Sequence, residues 1–246
     1  MDYSVSTDSL KNKVILVTGA GDGIGKQAAI SYASKGATVI LLGRTVKKLE
    51  QTYDEIEALG YPQPAIIPLD MKGATEKHYL DMAETIEGQF GRLDGLLNNA
   101  GILGIISPFE QIGEDSYDDV MQVNVKAQFL ITKALLPILK QSEDARIIFT
   151  SSTVGHQGRA FWGVYAMSKF ATEGMMQVLA DELENTPVRV NAINPGGTRT
   201  TMRAKAFPAE DTNNLKTAQD IMPLYVYLMS PEGISVHGQC IDAQPK

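Results

Sequence analysis

Six short apolar runs recur along the chain, over residues 14–17, 38–42, 65–69, 93–97, 146–150 and 188–193. Within each run the apolar positions are consecutive rather than alternating, as in strands covered on both faces. Longer segments with helix formers at helical spacing lie between them, over 25–35, 45–59, 75–88, 115–140 and 165–184. Strands alternating with helices of this length predict βαβ units around a parallel sheet. A further short strand is expected at 240–241, for a total of about seven strands. The expected fold is α/β: a Rossmann-like doubly wound parallel sheet with helices on both faces. No linker, low-complexity tract or strong repeat interrupts the pattern. Residues 1–246 are therefore expected to form a single domain, with 1–10 as a flexible N-terminal arm.

Composition narrows the class. The 246 residues carry 22 Lys and Arg against 29 Asp and Glu, a formal charge of −7. That balance argues against general nucleic-acid binding, which needs a basic face. A single cysteine, Cys240, leaves a monomer without an internal disulfide. The opening MDYSVSTDSL lacks the basic and apolar regions of a signal peptide, and every apolar run is well short of the roughly 20 residues a membrane span needs. The expectation is a cytoplasmic protein with neither membrane nor nucleic acid as partner.

Ligands of doubly wound sheets sit beyond the C-terminal strand ends, so the residues after each run are the ones to inspect. The first run ends in Thr18-Gly19-Ala20-Gly21-Asp22-Gly23-Ile24-Gly25. Gly19, Gly23 and Gly25 permit a tight turn and a close approach of backbone amides to a pyrophosphate, which the dipole of the following helix favours. The second run ends in Gly43-Arg44, without the carboxylate that would bind the adenosine 2′-hydroxyl of NAD. Arg44 offers a fixed positive fork that suits a 2′-phosphate. NADP(H) is thus expected in preference to NAD(H). Asp22 weighs against this, since a carboxylate nearby would repel that phosphate.

Tyr165 and Lys169 stand four apart at the start of an expected helix and so share one face. Ser152 follows the fifth run, Asn98-Asn99-Ala100-Gly101 follows the fourth, and Asn124 lies in the segment between. This ordered set, with Asp70 after the third run and Asn194-Pro195-Gly196-Gly197-Thr198-Arg199-Thr200 after the sixth, resembles the short-chain dehydrogenase/reductase family over nearly the whole chain. FTSSTVGHQGRAFWGVYAMSKFATEGMMQVLADE and INPGGTRTTMRAKAFP are similar to a bacterial subgroup of uncharacterised oxidoreductases and oxoacyl-carrier-protein-reductase-like proteins.

The resemblance implies roles at the matching positions. Tyr165 is the general acid/base, Lys169 binds the nicotinamide ribose and lowers the Tyr165 pKa, and Ser152 hydrogen-bonds the substrate oxygen. Asn124 holds a water that links Lys169 to solvent. Asp70 contacts the adenine and Asn99, Ala100 and Gly101 line the adenosine. Pro195, Gly196, Thr198 and Thr200 reach the nicotinamide side, joining Gly19, Asp22, Gly23, Ile24, Gly25 and Arg44 as cofactor residues. Physical chemistry agrees with the central roles: a free phenol titrates near 10, and an adjacent ammonium favours its ionised form. Ser152 and Tyr165 would donate to the charge growing on a carbonyl oxygen.

Around this set, Ile102–Ile106 and Phe161-Trp162 are expected to border an apolar pocket, and 199–214 to form a substrate lid. No His, Cys, Asp or Glu cluster has metal-ligand spacing, so no metal is expected, and His156 reads as a loop histidine. Glu173, Asp181, Glu182 and Glu184 make the Tyr165 helix acidic, while Arg159, Arg199, Arg203 and Lys205 are candidates for a basic patch at the pocket mouth. An acidic helix disfavours an acidic carrier protein. A small-molecule carbonyl or secondary alcohol is therefore expected ahead of a 3-oxoacyl thioester on acyl carrier protein. A non-catalytic nicotinamide-binding sensor or scaffold is the alternative of another class. The family resemblance further implies a homodimer or homotetramer through the helices at 115–140 and 165–184.

Overall fold

The computed structural model describes residues 3–245. Seven strands form one parallel sheet: β1 (Val14–Thr18), β2 (Thr38–Gly43), β3 (Ala65–Pro68), β4 (Gly95–Asn98), β5 (Ala145–Thr150), β6 (Val188–Asn194) and β7 (Cys240–Asp242), in the order β3-β2-β1-β4-β5-β6-β7. Every pairing is parallel, with Val17 opposite Leu41 on one side and Leu97 on the other. The chain leaves β1 toward β2 on one side, and later returns as β4 on the other. The reversal opens a crevice at the C-terminal ends of β1 and β4.

Two apolar cores flank the sheet, because alternate strand residues point to opposite faces. Val14 and Leu16 join α3 (Glu76–Phe90), α5 (Ala127–Leu139) and α6 (Gly163–Glu182) in one. Ile15 and Val17 join α1 (Gly23–Ala33), α2 (Val46–Ala58) and α8 (Met222–Met229) in the other. The apolar stretch at the start of α8, unassigned from sequence, is a helix buried against α1 and β5.

The segment 115–140, expected as one helix, is divided. It begins as α4 (Glu114–Met121), passes through a π-helical segment, Gln122–Lys126, and continues as α5. The Ala127 N–H reaches back to the Gln122 carbonyl, five residues earlier. Such insertions are frequent at functional sites; here it buries Val123 and Asn124 together.

The N-terminal arm, from Tyr3 onward, is laid against the domain rather than free of it. The Tyr3 and Tyr227 rings lie 5.4 Å apart, Ser6 donates twice to Glu232, and Leu10 is fully buried. Residues 1 and 2 of the expected arm lie outside the described residues.

Candidate active site

The crevice is a cleft of about 620 Å³. Of the catalytic and cofactor residues expected from sequence, only Gly25 and Asn124 do not face it; each shapes its wall from behind. Gly19 and Gly23 adopt positive φ (+69° and +53°), the conformation glycine tolerates best. Gly25 is small for a different reason: a Cβ there would lie 2.3 Å from the Gly19 carbonyl oxygen and 2.6 Å from Asn99 Nδ2. Helix α1 therefore starts directly on top of the turn.

The ends of β1 and β4 are locked together by Thr18 and Asn99. Thr18 Oγ1 accepts from the Asn99 and Ala100 amides, both at 2.9 Å, and Asn99 Nδ2 donates to the Thr18 carbonyl at 3.1 Å. Asn99 is thus a buttress of the crevice as well as part of its lining.

At the far end, Arg44 is exposed at the mouth beyond β2, and Lys48, from the first turn of α2, lines the same cleft. Lys48 went unnoticed in the sequence because helix-surface lysines are common; only the fold brings it to the glycine turn. Its Nζ lies 2.6 Å from Asp22 Oδ2, while Asp22 Oδ1 accepts from Gly23 N at 2.7 Å and caps α1. These contacts hold the Asp22 carboxyl below its ordinary range. The repulsion expected of Asp22 toward a 2′-phosphate is therefore offset locally, and two cations border that corner.

At the other end, Tyr165 and Lys169 project from successive turns of α6. Lys169 Nζ donates to the Thr150 carbonyl at 2.7 Å and lies 5.6 Å from the centre of the Tyr165 ring. Ser152 stands beside the phenol and favours its ionised form. The resemblance implied a Tyr165 pKa below the ordinary phenol value, but in this structure burial dominates both groups. It pushes Tyr165 up to about 12, with neighbouring Ser152 opposing, and pulls Lys169 down to about 8, with Glu173 opposing. Removing either group from water disfavours its charged form, which for a phenol is the anion and for an amine the cation.

The Asn124 side chain is held by the backbone that follows Gly101. Its Oδ1 accepts from Ile102 N at 2.8 Å, and its Nδ2 donates to Ile102 O at 2.9 Å and to Ser168 Oγ at 3.0 Å. Both ends of the amide are thereby engaged, and the side chain clamps the segment after Gly101.

Several other expectations are revised. Ile102, Leu103 and Trp162 line the cleft, but Phe161 lies outside it, in a separate hollow with Phe109, Arg159 and Phe170. The basic patch assembles only in part: Arg203 and Lys205 line the cleft, whereas Arg159 lies in the separate hollow. Arg199 donates to the Thr212 carbonyl at 2.8 Å, and Arg203 makes two bonds to Glu210, at 2.7 and 2.6 Å, with its guanidinium 3.8 Å from the Phe207 ring. These arginines fasten the segment 199–215 onto itself. That segment, including α7 (Thr201–Ala206), lines the cleft mouth. Gln244, overlooked in the sequence, donates to the Pro195 and Gly197 carbonyls at 2.8 and 3.1 Å and braces the loop after β6.

Glu173 is buried, so it adds nothing to an acidic surface on α6. His78 caps α3, and His237 accepts from Val190 N at 3.1 Å on β6. His156, Glu173 and Cys240, remote in sequence, lie with their donor atoms within 4.8 Å of one another, a grouping that spacing along the chain could not disclose.

Comparison with known proteins agrees with this geometry. The short chain dehydrogenase family model matches residues 13–211. The uncharacterized oxidoreductase YciK of Escherichia coli K12 is 53% identical over 245 residues, covering 100% of this chain and 97% of that protein. A short chain dehydrogenase crystal structure from Shigella flexneri, complexed with NADP, is 52% identical with a TM-score of 0.95, covering 98% of this chain and 100% of the other. The 3-oxoacyl-[acyl-carrier-protein] reductase FabG of Thermotoga maritima is more distant, 31% identical over 242 residues, 94% of this chain and 96% of that protein. The chain belongs to the short-chain dehydrogenase family.

Proposed function

We propose that this protein is an NADP(H)-dependent oxidoreductase of a small-molecule carbonyl or secondary alcohol. The observation that carries the reading is the convergence of Ser152, Tyr165 and Lys169 at one end of a cleft whose other end holds the glycine turn, Arg44 and Lys48. The cleft suits the cofactor chemically. The turn and the N-terminus of α1 favour a pyrophosphate, Arg44 and Lys48 favour a 2′-phosphate, and the NADP complex of the Shigella flexneri relative supports that preference. Asp70, beyond β3, lies on the adenosine side; Pro195, Gly196, Thr198 and Thr200 lie toward Tyr165. Bound nicotinamide supplies the hydride chemistry.

The chain's own groups supply proton and position. Tyr165, kept protonated by burial, gives its proton to the carbonyl oxygen during reduction and takes it back during oxidation. Ser152 shares the negative charge growing on that oxygen. Lys169, fixed by the Thr150 carbonyl, places a cation beside the phenol and favours its anion as the proton leaves. Asn124 acts at one remove, by holding Ile102 on the cleft wall. The 199–215 segment forms the roof over the substrate end. Arg199 and Arg203 are engaged by acceptors of the segment itself, which favours a free small molecule over a carrier-linked thioester.

Fluorescence titration with NADPH and NADH is expected to give tighter NADPH binding. Tyr165→Phe is expected to abolish turnover in a carbonyl screen while NADPH binding persists; retained turnover overturns the assignment. We further propose a homo-oligomer through α5 and α6. Met176 belongs to the core, whereas Phe129, Met167, Phe170 and Val178 are exposed. Light scattering that shows a monomer at micromolar concentration overturns it.

A further inference from the structure

Three consecutive residues at the end of β5 meet three successive turns of one face of α6. The Thr150 carbonyl holds Lys169, the Ser151 hydroxyl donates to Glu173 at 2.5 Å, and Ser152 stands beside Tyr165. Two of these three helix residues belong to the proposed chemistry, and the third has no role in it. Glu173 is a buried carboxylate whose one oxygen, Oε1, is approached by three groups from different parts of the chain. They are Ser151 Oγ, His156 Nδ1 at 3.3 Å and Cys240 Sγ at 3.4 Å. The loop lies against it so closely that a Cβ on Gly155 would be 2.7 Å from Oε1.

We propose that Glu173 is a positioning residue for the reaction: it ties the Ser152 loop and β7 to α6, and sets its carboxylate one helical turn from the Lys169 ammonium. The inference rests on the Tyr165–Lys169 reading above. Glu173 stands one helical turn beyond Lys169, the spacing at which side chains are neighbours. Burial drives Lys169 toward its neutral form, and the Glu173 carboxylate is the charge that opposes this. The other titratable groups facing the pair are Tyr165 on α6, His156 from the loop, Cys240 and Asp242 on β7, and Tyr225 on α8 beside Tyr165. Cys240 is pushed up to about 12 by burial and by Glu173, so it remains a thiol donor through neutral pH. Lys169 is the cation that bears on the carboxylate, and the His156 ring is its neighbour from the loop.

Glu173→Gln keeps the size and an acceptor oxygen and removes only the charge. At pH 6, NADPH affinity and kcat/KM are expected to stay within about 2-fold of wild type. The alkaline fall in kcat/KM is expected to move roughly one pH unit toward acid, the scale of one charge a helical turn away in a partly polar interior, leaving the variant about 10-fold slower at pH 8. His156→Arg, at an exposed position, sets a permanent cation beside the carboxylate and is expected to move the fall in the same direction by less. It also keeps the test available should the buried variant not fold.

Both variants are also titrated with NADPH from pH 6 to 9.5, where loss of the Lys169 charge should weaken binding of the anionic cofactor at lower pH than in wild type. That readout needs no turnover. Persistence of turnover in Tyr165→Phe would overturn the Tyr165 reading alone. An unmoved pH dependence in both readouts, or a loss by one constant factor at every pH, overturns the role assigned to Glu173.

Discussion

Replacing Asn124 by alanine tests whether this residue acts by holding the wall of the cleft. Its side chain is fully buried and makes three hydrogen bonds, two to the backbone of Ile102 and one to Ser168. Truncation leaves both the N–H and the C=O of Ile102 without these partners, whereas Ser168 keeps its bond to the Tyr165 carbonyl at 2.7 Å. A net hydrogen bond contributes about 1 kcal/mol, and an orphaned polar group costs about 1–3 kcal/mol. Two orphaned backbone groups, partly rewetted through the cleft, therefore predict a loss of roughly 2–4 kcal/mol. For a chain of this length each kcal/mol shifts Tm by about 2–4 °C, so the melting temperature followed by circular dichroism should drop by roughly 4–16 °C. Because Ile102 lines the cleft, NADPH affinity should fall several-fold as well. Asn124→Asp, which keeps an acceptor for Ile102 N but sets a carboxylate against Ile102 O, should be destabilised comparably and recover partly on acidification. Loss below about 1 kcal/mol in urea unfolding, with unchanged NADPH affinity, would refute the clamp.

Other expectations follow from the same geometry. Arg44→Asp should weaken NADPH binding by roughly 10–100-fold and leave NADH within about 2-fold, since a charge-assisted contact contributes about 1.5–3 kcal/mol; equal losses for the two cofactors would exclude Arg44 as the 2′-phosphate site. Gly25→Ala drives a methyl into the Gly19 carbonyl and should abolish soluble folding or NADPH binding, whereas Gly21→Ala, whose Cβ would meet the Lys48 side chain at 2.9 Å, should be milder. Lys169 titrates at about 8 in the folded protein against 10.5 ordinarily, so the unfolded chain binds the additional proton between these values. Wild-type stability should accordingly rise with pH across that window relative to Lys169→Met, and parallel urea midpoints for the two proteins from pH 7 to 10 would contradict it.

Much of the site was legible because its signals are local. Glycine at a strand end, a tyrosine and lysine four apart on a helix, and a basic residue after the second strand each express their chemistry within a few positions. Lys48, Gln244 and Glu173 were not legible in this way. Each is an ordinary surface-type residue whose partner lies 22 or more positions away, as with Lys48 and Asp22, Gln244 and Pro195, and Glu173 and Ser151. Arg199 and Arg203 misled for the converse reason: arginines near a pocket mouth look available until the fold shows their acceptors, Thr212 and Glu210.

The amino-acid sequence by itself determined the alternation of buried strands and amphipathic helices, and with it the parallel sheet and the crevice where β1 and β4 part. It did so because strand and helix periods are set by nearest neighbours along the chain. Tertiary structure alone decided which polar groups meet. The one-residue insertion that splits α4 from α5 and buries Asn124, the neutralisation of Asp22 by Lys48, and the gathering of Ser151, His156 and Cys240 on Glu173 depend on distances between elements remote in sequence. The same holds for the charge states of Tyr165 and Lys169. Their residue types set the ordinary values, and the depth at which the sheet and helices bury them moves one up and the other down.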